Sequence, residues 1–196
     1  MATSIPPHNV TELITALISL IDRPDISLPE IMKIIPGPDF PTGGIVFSGG
    51  EIEKAYATGR GIITLRGKVS QDQENGRDRL IISEIPYAVN KADMVERIAV
   101  LVQEKKIDGI SNIRDESNKD GMRVVIDLKR GASPEVIENQ LYKLTNLQTS
   151  FSMNMLAIHN GRPKVMGLIE LLQAFLDFRD EVVTRRSIFE LNKARA

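Results

Sequence analysis

Cysteine is absent from this 196-residue chain. A disulfide framework and a thiolate zinc site are therefore excluded, and the usage agrees with a cytoplasmic setting. No apolar run approaches the roughly 18 residues that would suggest a membrane span. No charged-then-apolar leader is visible either, so no membrane is expected as a partner. An excess of charge of one sign is also missing. The chain carries 25 Lys and Arg against 26 Asp and Glu, a formal net charge of −1. A free-standing nucleic-acid-binding domain is commonly basic, so composition alone points away from nucleic acid. Gly59-Arg60-Gly61 is a lone Gly-x-Gly, too little for a nucleotide loop, and no Walker run or Asp-x-Asp cluster occurs. His8 and His159 stand far apart, without companion Cys or carboxylate spacing, and read as structural histidines rather than metal ligands.

The apolar share of 42% suffices for an ordinary core. The length fits one large domain or one and a half small ones. The pattern along the chain is mixed α+β. Apolar spacing predicts an amphipathic helix over 10–21, with Leu13, Ile14, Leu17, Ile18 and Ile21 on one stripe, ended by Arg23-Pro24. A short helix is expected over 28–34, opening at Pro29, then a loop over 36–44 rich in Gly and Pro. A strand over 45–47 and a helix over 49–58 follow. Alternation predicts strands over 62–69 and 79–83, paired as a hairpin around a polar turn at 71–77. A helix is predicted over 91–105, strands over 110–115 and 123–128 around a turn at 117–121, and a helix over 134–142. A strand over 151–159 and a turn at Asn160-Gly161 precede one long helix from 167 to the last residue, with no stop signal.

The richest run is MATSIPPHNVTELI, Met1 to Ile14. Pro6 pushes Ile5 into an extended conformation. Ile5 is β-branched and stiff at χ1. Pro6 and Pro7 fix the backbone behind it, and Asn9 is placed to cap the helix at Val10, with Glu12 at the capping-box position. The result is an apolar wedge on a rigid stalk. The competing reading makes Ile5 a hydrophobic staple against the helix after Asn9.

This run resembles the IPPHN segment of the A subunits of the bacterial type IIA topoisomerases, DNA gyrase foremost and topoisomerase IV as its paralogue. PGPDFPTGGIV (36–46), EIPYAVNKADMVERIAVLV (84–102), DGISNIRDESNKDGMRVVIDLKRGA (108–132) and VVTRRSIFELNKAR (182–195) resemble further family segments in the same order. Ser4 departs from the Asn more usual before Ile-Pro-Pro. The resemblance implies an α+β tower domain, with a small, mostly antiparallel sheet flanked by helices, ending in the start of a long coiled-coil helix. The expected segments are a lead-in with the wedge (1–35), the tower (36–166) and the root of the arm (167–196), as a piece excised from a longer chain and monomeric by itself.

The resemblance further implies that Ile5 intercalates into duplex DNA and bends it. Related basic positions, here Arg60, Arg66 and Lys68, would face the DNA backbone. Arg66 and Lys68 share a face if 62–69 is one strand; a solvated strand face is the plainer reading. The catalytic tyrosine of the family stands on an upstream segment. Tyr56, Tyr87 and Tyr142 lie in AYATG, IPYAV and QLYKL, none like that motif, so no catalytic residue is expected here and the chain by itself should be inactive. Magnesium and ATP would enter the parent complex through the gyrase B subunit, which joins a homodimer of the A subunit and uses ATP to introduce negative supercoils. A non-enzymatic architectural protein that bends DNA by the same wedge physics is the rival from another class. Arg185 and Arg186 are expected to pair along their helix with Glu181 and Glu190.

Overall fold

The computed structural model describes residues 3–74, 76–119 and 121–195. Met1 and Ala2 of the wedge run, Asn75 and Asp120 of the two predicted turns, and Ala196 lie outside the described residues. The fold is α+β, with antiparallel sheets and a long final helix. The chain divides into two compact units, Met1–Asp39, Gly49–Ile62 and Ser152–Ala196 in the first, Phe40–Ser48 and Ile63–Phe151 in the second. The N-terminal helices and the last helix thus share one unit, although nearly the whole sequence separates them.

The first unit is mainly helical. Helix α1 (Val10–Asp22) begins at Asn9, whose side chain accepts from the Thr11 and Glu12 amides at 2.9 and 3.3 Å. Helix α2 (Leu28–Ile34) opens with a full capping box between Ser27 and Glu30. Helix α3 (Glu51–Thr58) ends at Gly59, which takes the left-handed conformation that closes a helix without a Cβ clash. Helix α6 (Leu168–Arg195) runs 28 residues, about 42 Å at 1.5 Å per residue. α1 packs on α2 and α6, and α3 packs on α2 and α6. Ala16, Leu20, Ile31, Ile35, Tyr56, Met155, Met166, Leu168 and Leu172 are buried there.

The buried side of α1 corrects the predicted stripe. Ala16 and Leu20 are the buried residues, while Ile14, Ile18 and Ile21 are exposed. The apolar arc of α1 is wider than one packing face, and the line carrying small Ala16 is the one that is buried. Sequence periodicity ranked the larger residues first.

The second unit is a four-stranded antiparallel sheet with two helices. Its strands are β3 (Lys68–Glu74), β4 (Arg77–Glu84), β5 (Ile110–Asp115) and β6 (Val124–Leu128), in the order β3-β4-β6-β5. Leu80, Ile82, Val124, Ile126 and Leu128 from the sheet form one core with Met94, Ile98 and Leu101 of α4 (Lys91–Gln103) and Ile137 and Leu141 of α5 (Pro134–Leu144). The predicted polar turn at 71–77 is mostly strand. β3 stays paired with β4 out to Glu74 and Arg77. Its exposed polar residues occupy a sheet edge, where charge discourages further pairing.

Two predicted strands are each two strands. The run 62–69 is broken at Gly67 into β2 (Arg60–Arg66) and β3, which enter different sheets. A Cβ on Gly67 would sit 2.6 Å from both the Glu84 carbonyl oxygen and Leu147 Cδ1, so only glycine fits. The run 151–159 is broken at Met155 into β7 (Gln148–Asn154) and β8 (Leu156–His159). β7 joins β1 (Ile45–Phe47) and β2 in the order β1-β2-β7, while β8 pairs with β9 (Arg162–Val165), a strand absent from the sequence reading. Asn160 and Gly161, both at positive φ, make the hairpin between them.

Candidate nucleic-acid interface

Ile5 projects from a pinned stretch of backbone. Ser4 and Asn154 exchange both amide-to-carbonyl bonds, at 2.9 and 2.8 Å, as an isolated antiparallel bridge. Behind Ile5, the Pro6 carbonyl lies 2.8 Å from His8 Nδ1, and the Pro7 carbonyl accepts from the Asp39 amide at 2.9 Å. A proline has no N–H, so its carbonyl is the only backbone group through which a Pro-Pro stalk can be held. Both carbonyls are held here. Pro6 is buried, yet Ile5 itself is 44% exposed.

Arg60 belongs to the same unit as Ile5, and backbone ties link the two. Asn154 bridges to Ser4, and the next residue, Met155, donates to the Gly59 carbonyl at 2.8 Å. The end of β7 therefore holds Ser4, next to Ile5, through one residue and the start of β2 through the next. Arg60 is exposed and makes no ion pair among the described residues. Gly59, at φ 78, and Gly61, whose Cβ would meet Ala55 and the Glu51 carbonyl, let the chain turn tightly off α3 and present Arg60 outward.

Arg66 and Lys68 lie in the second unit. The alternation argument that placed them on one strand face fails, because Gly67 separates β2 from β3. Arg66 is half-buried. Its guanidinium carbon stands 4.5 Å from the Phe47 ring centroid and 4.9 Å from that of Tyr142, and Nε donates to Gln148 Oε1 at 2.5 Å. Such double cation–π packing orders the side chain and spends much of its charge locally. Lys68 is exposed, with Glu84 3.7 Å away. The second carboxylate oxygen of Glu84 accepts from the Gly44 amide at 2.5 Å, which ties the PTGG loop to β4.

The hydroxyls of Tyr56 and Tyr142 are both engaged within the fold. Tyr56 is 1% exposed and its hydroxyl lies 2.7 Å from His8 Nε2; burial pushes its ionisation far up. Tyr142 donates to the Gly67 carbonyl at 2.9 Å, and burial raises it too. Tyr87 packs its ring against Phe40 and Phe151 at centroid distances of 5.3 and 6.4 Å. Arg185 and Arg186 pair with Glu181 and Glu190 at 3.1 and 2.9 Å along α6, as helical spacing predicts. Among the described residues, no group of three or more His, Cys, Asp or Glu is placed to hold a metal ion.

The family model for the A subunit of DNA gyrase/topoisomerase IV matches residues 1–196. The chain belongs to that family. The DNA gyrase A subunit of Granulibacter bethesdensis is 53% identical over 196 residues, covering 100% of this chain and 21% of the relative. That of Escherichia coli (strain K12) is 54% identical over 197 residues, covering 100% and 22%. A chloroplastic/mitochondrial DNA gyrase A subunit of Nicotiana benthamiana is 54% identical over 198 residues, covering 100% and 21%. The chain spans about a fifth of the length of these relatives.

Within this gyrase/topoisomerase IV chain, sequence reasoning singled out Ile5 and Arg60, and it took His8 and Tyr56 singly without pairing them. The two rings meet at 5.7 Å between centroids. They are far apart in sequence, and a histidine after Pro-Pro carries no local signal of a tyrosine partner on α3. The family resemblance drew attention to Ile5, while His8, three places on, was read only as a structural histidine.

Proposed function

We propose that this chain is the part of a DNA gyrase A subunit that bends and braces the duplex being cleaved. In the parent enzyme, the A and B subunits together pass one duplex through a break in another and introduce negative supercoils. The supporting observation is Ile5, exposed on a stalk pinned on both sides, with exposed Arg60, which makes no ion pair among the described residues, tied to the same strand end. Inserting an apolar wedge costs a few kcal/mol per unstacked base step, and sharp bending of order 1–6 kcal/mol more. Basic side chains recover this where the bent arms meet them, by displacing counterions. Arg60 and Lys68 are suited to that, because both are exposed. Arg66 enters the reading as the brace of β2, its guanidinium already held between two rings. Contacts of this kind position the duplex without reading sequence.

The partners in this reading are double-stranded DNA, the gyrase B subunit and a second copy of the A subunit, in the bacterial cytoplasm. Magnesium and ATP come through the B subunit. A duplex carrying 2-aminopurine tests the insertion. With the probe walked along the bound segment, its fluorescence should rise at one step on each arm as stacking is lost. Ile5→Ala should abolish the rise without abolishing binding. A rise that persists in Ile5→Ala would assign the unstacking to another residue.

A further inference from the structure

The His8–Tyr56 contact lies outside everything assigned above, and its geometry fixes the chemistry. A carbonyl oxygen can only accept, so His8 Nδ1, 2.8 Å from the Pro6 oxygen, carries the proton. In the neutral ring Nε2 is then a bare acceptor, and the Tyr56 hydroxyl at 2.7 Å donates to it. One tautomer of one charge state satisfies every polar atom of the pair. An imidazolium would offer a second N–H to the Tyr56 oxygen, and the phenolic proton would lose Nε2 as its acceptor, at a residue that is 1% exposed on α3.

We propose that His8 is the positioning residue of the Ile5 wedge: as a neutral ring it ties the Pro6 carbonyl, one residue behind the wedge, to the buried Tyr56 hydroxyl, and protonation, which keeps the Pro6 bond, removes the Nε2 acceptor of that hydroxyl and loosens the anchor. The proposal rests on the wedge reading of Ile5. The path is short. Pro6 follows Ile5 directly, and its carbonyl has His8 as its partner. Tyr56 is a fixed anchor because its ring lies in the core of the first unit. The groups that face His8 are Glu12 on α1, Asp39 on the loop after α2 and Tyr56 on α3. Glu12 and Asp39 favour the charged ring. Asp39 is partly engaged, since Asn9 Nδ2 donates to it at 3.2 Å. Burial, the largest influence, outweighs these two and the Pro6 hydrogen bond, which also favours the charged ring, and holds the ring below its ordinary 6.5. The latch is therefore closed at neutral pH and opens in acid.

The test measures duplex bending by energy transfer between dyes at the two DNA ends. The full-length A subunit is assembled with the B subunit, at saturating DNA, from about pH 5.5 to pH 8. At neutral pH, His8→Ala and Tyr56→Phe should each lower the ratio of bent to unbent complexes about fivefold, the factor one net hydrogen bond supplies. Neither should add to Ile5→Ala in the double variant, because both act through the wedge. Wild-type bending should fall toward the acid end. His8→Asn, which can keep a donor for the Pro6 carbonyl but loses the Tyr56 anchor and does not titrate, should show the lowered bending of Tyr56→Phe at every pH, without that fall. Tyr56→Phe preserves the core shape and serves if His8→Ala does not fold. Wild-type bending in Tyr56→Phe, effects that add to Ile5→Ala, or an unchanged acid fall in His8→Asn would each overturn the proposal. If Ile5→Ala itself bends DNA normally, the wedge reading has failed instead.

Discussion

His8, Asp115 and Glu30 make stability fall in acid, in two separate windows. Burial holds His8 below 6.5, so the unfolded chain binds the proton first. Its contribution is complete above 6.5 and is lost as pH falls through the folded value. Asp115 is held at about 2 by the hydrogen-bonded Lys91 ammonium and then by Ser117. Glu30 is held at about 2 by Ser27 and then by Arg23. Carboxylates lowered in this way stabilise above their ordinary values of 3.8 and 4.5 and lose the effect as pH falls toward 2. Urea unfolding across pH should therefore show a first decline just below 6.5 and a second below the carboxylate values. His8→Asn should remove the first, and Asp115→Asn should flatten part of the second. A stability that stays level down to the carboxylate range would contradict the buried neutral state of His8.

At the scale of elements, Gly67 carries the sharpest consequence. It separates two strands that alternation joins, and its space is filled by the Glu84 carbonyl and Leu147. Gly67→Ala should destabilise by about 1–3 kcal/mol, the usual cost of overpacking, read as a lower denaturant midpoint with unchanged slope. An unaffected midpoint would mean that the β2–β3 corner is looser than described. The same residue shows where sequence reading stops. Helices α2, α4, α5 and α6 were legible because their caps, prolines and spacing are local. Ile62 to Val69 alternates without interruption, and nothing local says that Gly67 turns the chain into another sheet. Met155 breaks the second run just as silently. The polar residues of β3 look like a turn because an edge strand needs no apolar face outward. The stripe of α1 was misjudged because Ala16, the smallest residue on that arc, is the one buried.

For the whole molecule, the two units are discontinuous in sequence, and no compositional boundary announces them. The exposed, pinned setting of Ile5 was legible because Pro-Pro chemistry and a family resemblance coincide on it. The latch beneath it was not, since it exists only once α3 is folded. The three tyrosines bear on what the chain does by itself. Each hydroxyl or ring is engaged within the fold, so the 196-residue polypeptide mixed with the gyrase B subunit, ATP, magnesium and plasmid should give no covalent protein–DNA adduct. An adduct mapped to any of the three would show that an engaged tyrosine can still attack.

The most direct test of the account is Ile5→Ala in the full-length protein, with duplex bending, supercoiling and thermal unfolding measured on the same preparation. Ile5 is 44% exposed, so stability should stay within about 1 kcal/mol of wild type, while bending and supercoiling both fall sharply. Full supercoiling with an unchanged bend angle would contradict the wedge, and a loss of stability with normal bending in the surviving complexes would make Ile5 a staple.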